Sequence, residues 1–391
     1  MKIILVSRYP QQADKPRGGI EAVTVILANA LAECRGDSVQ VMTLEREKSL
    51  LGQSKVGGMN VRRLQRSRWP LFLDINMGPS RRRLAAALRE EEPAIVHFHE
   101  TWGLGCIPTA CPQVFTVHGF DSANIPAEAG RFPGLRSKLW KMVESKGFAK
   151  TKNIISISPY VTKQIRPYTD ATIHEIDNPV DPDFFAVERK AEAGRVLCVG
   201  WINARKNTLG SVRAFAKAFK AGHARKLVIA GSAREQNYLD AVKAEIARES
   251  LEQHVEFLGQ ADRQKLKTQL GLASVLLLPS LQENAPMAIS EAMAAGVPVI
   301  ASNRCGMPYM VEDNRSGFLI EPEDVAQIAD CLSRLLGSAE LRRDMAARGR
   351  EIARARFHPS EVAQKTLRVY QSLGEQPRPV RSSVAAPQLG A

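Results

Sequence analysis

Pro279 to Pro298 reads PSLQENAPMAISEAMAAGVP, between the apolar runs Val275–Leu278 and Val297–Ala301. The pattern predicts strand, loop, helix, strand. Proline suits the first helical turn, so the helix is expected to begin near Pro286. The N–H groups of that turn have no partners within the helix and form an anion site above the strand ends. Glu283 comes from the loop, and Glu291 lies about one and a half turns into the helix. A ligand there meets backbone donors and two hydroxyl-accepting carboxylates together. An anion that also carries sugar hydroxyls matches this arrangement.

The chain has 391 residues, too many for one core and enough for two domains of roughly 150–200 residues. No apolar run approaches the roughly 20 residues that span a bilayer. The start, MKIILVSRYP, lacks the apolar region and cleavage site of a secretory signal, and the protein is read as cytoplasmic. Six cysteines lie scattered without a CxxC pair, which fits reduced thiols rather than a disulfide set or a zinc site. A formal net charge of +13 favours anionic partners without choosing among nucleotides, phospholipid surfaces and polyphosphate-linked substrates, and it is also simply compatible with solubility.

Strand-like runs at 2–7, 39–44, 59–64, 94–98, 113–118 and 153–158 alternate with helical stretches, the pattern of a parallel sheet covered on both faces. A polar junction at 176–190 follows. The alternation then restarts with strands at 195–199, 226–230, 255–258, 275–278 and 317–320. Two restarted α/β units imply two doubly wound domains and a cleft between them. The stretches 339–356 and 359–373 read as arginine-rich helices, and 374–391 as a polar, disordered tail.

Gly18-Gly19 follows the first strand and opens a helix, which allows close backbone approach to an anion. Glu21 either caps that helix or faces the cleft. Neither GxGxxG nor GxxxxGK[ST] occurs, so dinucleotide binding and P-loop hydrolysis lose their usual support. His97 and His99 share one side of a strand but have no third ligand nearby, and they read as ordinary strand-end residues rather than a metal site. His118, followed by Gly119, ends another strand, and its placement fits an exposed or a satisfied imidazole equally. Arg205-Lys206-Asn207 sits past the strand at 195–199, where a lysine reaches over the cleft. Seven arginines and one acid, Asp74, lie between positions 62 and 83 around Trp69-Pro70-Leu71-Phe72-Leu73. That cluster suits a membrane surface or an anionic acceptor, or is simply solvated. No nucleic-acid-binding motif accompanies it, and none is expected as a partner.

Taken together, Glu283 to Ser302, Gly18-Gly19-Ile20-Glu21, His118-Gly119, Asn178-Pro179-Val180-Asp181, Gly200 through Lys206 and Leu277-Leu278-Pro279-Ser280 resemble retaining glycosyltransferases of family 4. The resemblance covers about residues 1–373. It implies the GT-B fold, an α/β architecture of two doubly wound Rossmann-like domains facing across a cleft. The expected division is 1–183 on the acceptor side, completed by 359–373, and 190–356 on the nucleotide-sugar side. The resemblance gives Glu283, Lys206 and His118 the catalytic positions. Glu283 would orient the donor sugar, Lys206 hold the diphosphate, and His118 contact the sugar. Glu291 would accept from the ribose, Met287 and Ala288 offer backbone amides, and Gly259 and Gln260 lie near the base. Gly18, Gly19 and Arg205 would complete the donor side, with Glu21 and Asn178 toward the acceptor. A UDP- or GDP-sugar is then a substrate, with no cofactor and no metal, and the acceptor a saccharide, lipid-linked saccharide or metabolite.

Three positions depart from the family pattern. Trp201 stands where arginine often follows the glycine, Pro286 where glycine is frequent, and Tyr309 where a glutamate is frequent. The implied activity is a retaining glycosyl transfer in cell-surface polysaccharide or glycolipid synthesis, with peripheral contact at the inner membrane face through 62–83. A GT-B epimerase or phosphorylase, or a weak partner subunit made plausible by Trp201, are the alternatives.

Overall fold

The computed structural model describes residues 1–35, 38–124 and 132–374. The tail expected at 374–391 lies, past Gly374, outside the described residues. Two sheets account for the chain. The first contains β1 (Ile3–Val6), β2 (Val39–Glu45), β3 (Gly52–Val56), β4 (Met59–Gln65), β5 (Ile95–Phe98), β6 (Gln113–Val117), β7 (Asn153–Ser156) and β8 (Thr172–Glu175), in the order β3-β4-β2-β1-β5-β6-β7-β8. Among the described residues only the β3–β4 pair is antiparallel. The second contains β9 (Arg195–Val199), β10 (Lys226–Ala230), β11 (Val255–Gly259), β12 (Val275–Leu278), β13 (Val299–Ser302) and β14 (Gly317–Ile320), in the order β11-β10-β9-β12-β13-β14. These two sheets with flanking helices form the two Rossmann-like domains of the GT-B fold.

The strands form where apolar runs are buried on both faces. Val275–Leu278 and Val299–Ser302 are buried at every position, as parallel strands under helices on both sides must be. In each sheet the strand order reverses direction once, between β1 and β5 and between β9 and β12. Such a reversal leaves a crevice beyond the carboxyl ends of the two strands, because their following helices leave to opposite faces. Gly18-Gly19 follows β1, Lys206 follows β9, and Glu283 follows β12. The topology therefore delivers these residues to the two crevices.

The last helix, Pro359–Gly374, returns to the first domain. Val362, Leu367 and Tyr370 are buried with Ile3, Leu5 and Leu31. At the crossing point Val180 N donates to Phe357 O at 2.9 Å. No helix among the described residues is long and apolar enough to cross a membrane.

Part of the basic stretch is engaged within the fold. Arg62 is paired with Glu90 and Glu91 at 2.6 and 2.7 Å. Arg63 is 4% exposed and donates to the carbonyl oxygens of Tyr9 and Pro10. Arg81 donates to the carbonyl oxygens of Gly105 and Cys106, and Arg83 to that of Gln65. These four arginines tie the sheet edge to its neighbours. Leu71–Met77 is a helix, with Trp69 exposed just before it.

Candidate functional site

The loop after β12 and the helix Met287–Ala294 form one wall of the site. Pro286 is the residue before the helix, in extended conformation (φ −68°, ψ 123°), not within the first turn as the sequence predicts. It fixes the entry angle, and the unbonded amides of the first turn begin at Met287. Glu291 is the fifth helical residue. Burial pushes its carboxyl up to about 7, opposed by the nearby Arg263 and reinforced by Asp181. Arg263 itself is ion-paired with Asp181. Arg263 escaped the sequence reading; the signal was Asp262, whose side chain caps the helix Arg263–Leu272 after β11 by accepting from Lys265 N at 2.8 Å.

Glu283 stands between two cations. Its Oε1 lies 2.7 Å from Lys206 Nζ and 3.2 Å from Arg205 Nη1. Lys206 and Glu283 are both nearly buried, with side chains 13% and 11% exposed. Arg205 also donates to Gln282 O at 3.0 Å. Gly200, at φ 135°, makes room for this arrangement: a Cβ there would lie 2.7 Å from Lys206 Cε. Asn203 holds the turn by accepting from Lys206 N at 2.9 Å. Trp201 is partly exposed, and the Arg234 guanidinium lies 4.2 Å from its ring centroid. The Arg234 guanidinium is thus held on the indole rather than on the cavity wall.

The opposite wall comes from the first domain. The helix Gly19–Arg35 points its N-terminus into the cleft, and a Cβ on Gly19 would come 4.0 Å from Met287 Cγ. Two helix N-termini therefore face each other across the gap. Glu21 turns away from it. Its Oε2 accepts from Arg17 N at 2.8 Å, so it caps its own helix. His118 Nε2 is 3.1 Å from His99 Nδ1, and the Asn178 side chain hydrogen-bonds His118. Burial lowers His118 to about 4 and His97 to about 3, with His99 also driven down. All three imidazoles are neutral near pH 7 and serve as hydrogen-bonding groups. His97 is satisfied on both sides, by Tyr370 Oη at 2.5 Å and Thr116 Oγ1 at 2.7 Å.

Direct contacts close the two walls together beside Glu283. Asn284 Nδ2 donates to His118 O at 3.1 Å, and Ser158 Oγ donates to Asn284 O at 2.9 Å. Farther along, Lys163 Nζ donates to Tyr309 Oη at 2.7 Å. Tyr309, one of the departures from the family pattern, is thus a bridge between domains.

The result is one cavity of about 720 Å³ between the domains. Gly18, Gly19, His118 and Asn178 line it from one side, and Arg205, Lys206, Gln260, Glu283, Met287, Ala288 and Glu291 from the other. Glu21 and Gly259 are not on its wall. Three cations the sequence reading passed over, Lys15, Arg17 and Arg263, are. The cavity offers backbone donors, cations and carboxylates within one interdomain space, which is the chemistry that binds a hydroxylated anion.

Comparison with known proteins agrees with this geometry. The family model described as Glycosyltransferase Family 4 matches residues 17–184, and that described as Glycosyl transferases group 1 matches residues 180–352. An uncharacterized glycosyltransferase of Methanocaldococcus jannaschii is 25% identical over 95% of this chain and 98% of its own length. The structure of sucrose-phosphate synthase from Thermosynechococcus elongatus matches with a TM-score of 0.79 at 21% identity, covering 95% of this chain and 98% of that one. HepE from Anabaena, solved in complex with UDP-glucose, matches with a TM-score of 0.70 at 17% identity, covering 95% and 100%. The chain is a GT-B-fold protein related to the glycosyltransferases of these two families.

Proposed function

We propose that this protein is a retaining glycosyltransferase that moves a sugar from a UDP- or GDP-sugar to a hydroxyl of a saccharide, lipid-linked saccharide or metabolite. The observation that carries the reading is the Lys206–Glu283 pair beside the N-terminus of the helix Met287–Ala294, in a cavity closed by a second helix N-terminus at Gly19. The structure of the Anabaena relative with UDP-glucose makes a nucleotide sugar the natural first substrate to test.

On this reading the donor diphosphate lies against Met287 and Ala288 and takes Lys206 from Glu283. Glu283 is then released to accept from hydroxyls of the donor sugar, while Glu291 accepts from the ribose. The bond from the anomeric carbon to the diphosphate oxygen breaks, and negative charge grows on the leaving group. Lys206 and the helix N-terminus stabilise that charge. The acceptor hydroxyl forms the new bond on the same face and passes its proton to the leaving phosphate oxygen. Neutral His118 hydrogen-bonds the sugar and moves no proton. Protein cations supply the charge neutralisation, and the scheme calls for no metal. Synthesis of cell-surface polysaccharide or glycolipid at the inner membrane face is the setting this chemistry fits best.

The test is a thermal-shift screen of UDP-, GDP- and ADP-sugars, followed by product analysis with the donor that binds. A bound donor raises Tm through linkage. Lys206→Ala and Glu283→Ala are expected to abolish most transfer, and the anomeric configuration of the product decides retention. Wild-type transfer by both variants would refute the residue assignment.

A further inference from the structure

A second, smaller cavity of about 290 Å³ lies behind His118, walled by the first domain and by Arg205 and Gln282 to Ala285 of the second. It meets the interdomain cavity at Ile20, His118, Arg205, Glu283 and Ala285, which line both. Its size falls just under the roughly 300–1,000 Å³ of pockets for drug-sized ligands, so it suits one ring. Leu104, Phe115 and Phe148 give it an apolar wall.

Its polar groups are mostly acceptors. Four carboxylates line it: Glu100, Asp121, Glu144 and Glu283. Among the described residues on its wall the cations are Arg8 and Arg205, and each sits on one of those carboxylates, Arg8 on Glu100 at 2.6 Å and Arg205 on Glu283 at 3.2 Å. Asn284 Nδ2 donates to His118 O, which fixes the amide and leaves Oδ1 buried without a partner. His99 is 1% exposed, and its Nε2 also has no partner. Such unpaired buried atoms are costly, and a ligand that bonds them is favoured by the same amount. A hydroxyl, which both donates and accepts, fits either tautomer of His99. A phosphate would come beside Glu100, Asp121, Glu144 and Glu283, and donors around them are already engaged: Arg8 by Glu100, Thr101 Oγ1 by Asp121, Ser122 N and Oγ by Glu144, and Arg205 and Lys206 by Glu283. Burial already holds the carboxyls of Glu100 and Glu144 above their usual range, so further negative charge there is disfavoured.

We infer that this pocket receives the accepting ring of the acceptor, and that the ring is an unphosphorylated polyol or amino sugar rather than a sugar phosphate. The inference rests on the glycosyltransferase reading and narrows its acceptor. Asp121 and Asn284 take hydrogen bonds from ring hydroxyls or an ammonium. One ring hydroxyl then lies toward Glu283 and His118, where the two cavities join.

The experiment uses the full chain and the nucleotide sugar that raises its Tm. Transfer is followed by mass spectrometry to matched acceptor pairs: inositol against inositol phosphate, glucosamine against glucosamine phosphate, methyl glucoside against glucose phosphate. The unphosphorylated member is expected to be used at least about tenfold better, the ratio for one lost charge-compatible contact. Asp121→Arg is expected to reverse the preference. If that variant does not fold, the wild-type pairs still decide. A donor that binds and is hydrolysed, but whose sugar goes only to phosphorylated rings or to no ring, would overturn the inference alone. Failure of every nucleotide sugar to bind would instead sink the donor reading.

Discussion

Lys206 Nζ lies 2.7 Å from Glu283 Oε1, and the missing side chain of Gly200 is what lets the lysine cross the turn to reach it. Gly200→Ala would put a methyl against Lys206 and force alanine to φ 135°. The expected cost is about 1–3 kcal/mol of stability, read by urea unfolding. Transfer should fall further than stability explains, because the displaced ammonium no longer meets the diphosphate. Full activity in a folded Gly200→Ala enzyme would show that Lys206 is not held where the chemistry needs it.

Glu291 makes donor binding and stability depend on pH in opposite senses. Its folded pKa, about 7, lies above the usual carboxylate value of 4.5. Between those values the folded state binds more protons than the unfolded one, so this group's contribution to stability falls as pH rises through that window. The slope is at most about 1.4 kcal/mol per pH unit. Donor affinity should rise over the same range, since the carboxylate is the better ribose acceptor. Urea midpoints of wild type and Glu291→Gln from pH 5 to 8 check the first effect, and nucleotide titrations the second. Parallel stability curves for the two proteins would contradict the shifted carboxyl.

Trp201 can be exchanged for the arginine that the family pattern places there. Trp201→Arg would add a guanidinium to the cavity and release Arg234 from its ring. Donor affinity should improve by about fivefold to tenfold, the gain of one exposed phosphate contact, and become more sensitive to salt. Calorimetry at two ionic strengths measures both. An unchanged affinity would mean that Arg205, Arg17 or Arg263 already fills that role.

Much of the fold was legible because strand, loop and helix alternate with buried runs such as Val275–Leu278. Lys206 and Glu283 could be placed at the crevice because each directly follows a strand, β9 and β12, and both line the cavity. The edge strands β3 and β8 were not legible. Gly52–Val56 is exposed at four of five positions and carries no apolar pattern, so its pairing with β4 leaves no periodic trace. The arginines between 62 and 83 could not be sorted into paired and exposed ones from sequence, because Glu90, Glu91 and Tyr9, which engage Arg62 and Arg63, lie far from them along the chain. Glu21 stayed ambiguous for a related reason: capping and cleft-facing differ by one rotamer, which spacing does not encode. The Asn284–His118 contact joins positions 166 apart and exists only once both domains are formed.

Tyr370 reports on the docking of the last helix. Its hydroxyl is 2.5 Å from His97 Nδ1, and both residues are fully buried. Tyr370→Phe would leave the imidazole nitrogen without a partner, at a cost of about 1–3 kcal/mol. Thermal unfolding should shift down by about 2–4 °C per kcal/mol. Donor affinity should hold, because Tyr370 is not on the cavity wall. An unshifted Tm would show that the hydroxyl adds nothing to the docking of the last helix.

The hydrogen bonds that Asn284 makes to His118 and Ser158 sit one residue from Glu283. Parting of the domains must break both, and the loop that carries Glu283 then loses its anchor on the far side. On the proposed function, the reaction centre is complete only while these two contacts hold. A donor resting on the second domain alone would then meet an incomplete centre, and water reaching it with the domains apart would find the sugar unactivated. Timing, in such a design, would protect the activated sugar from waste.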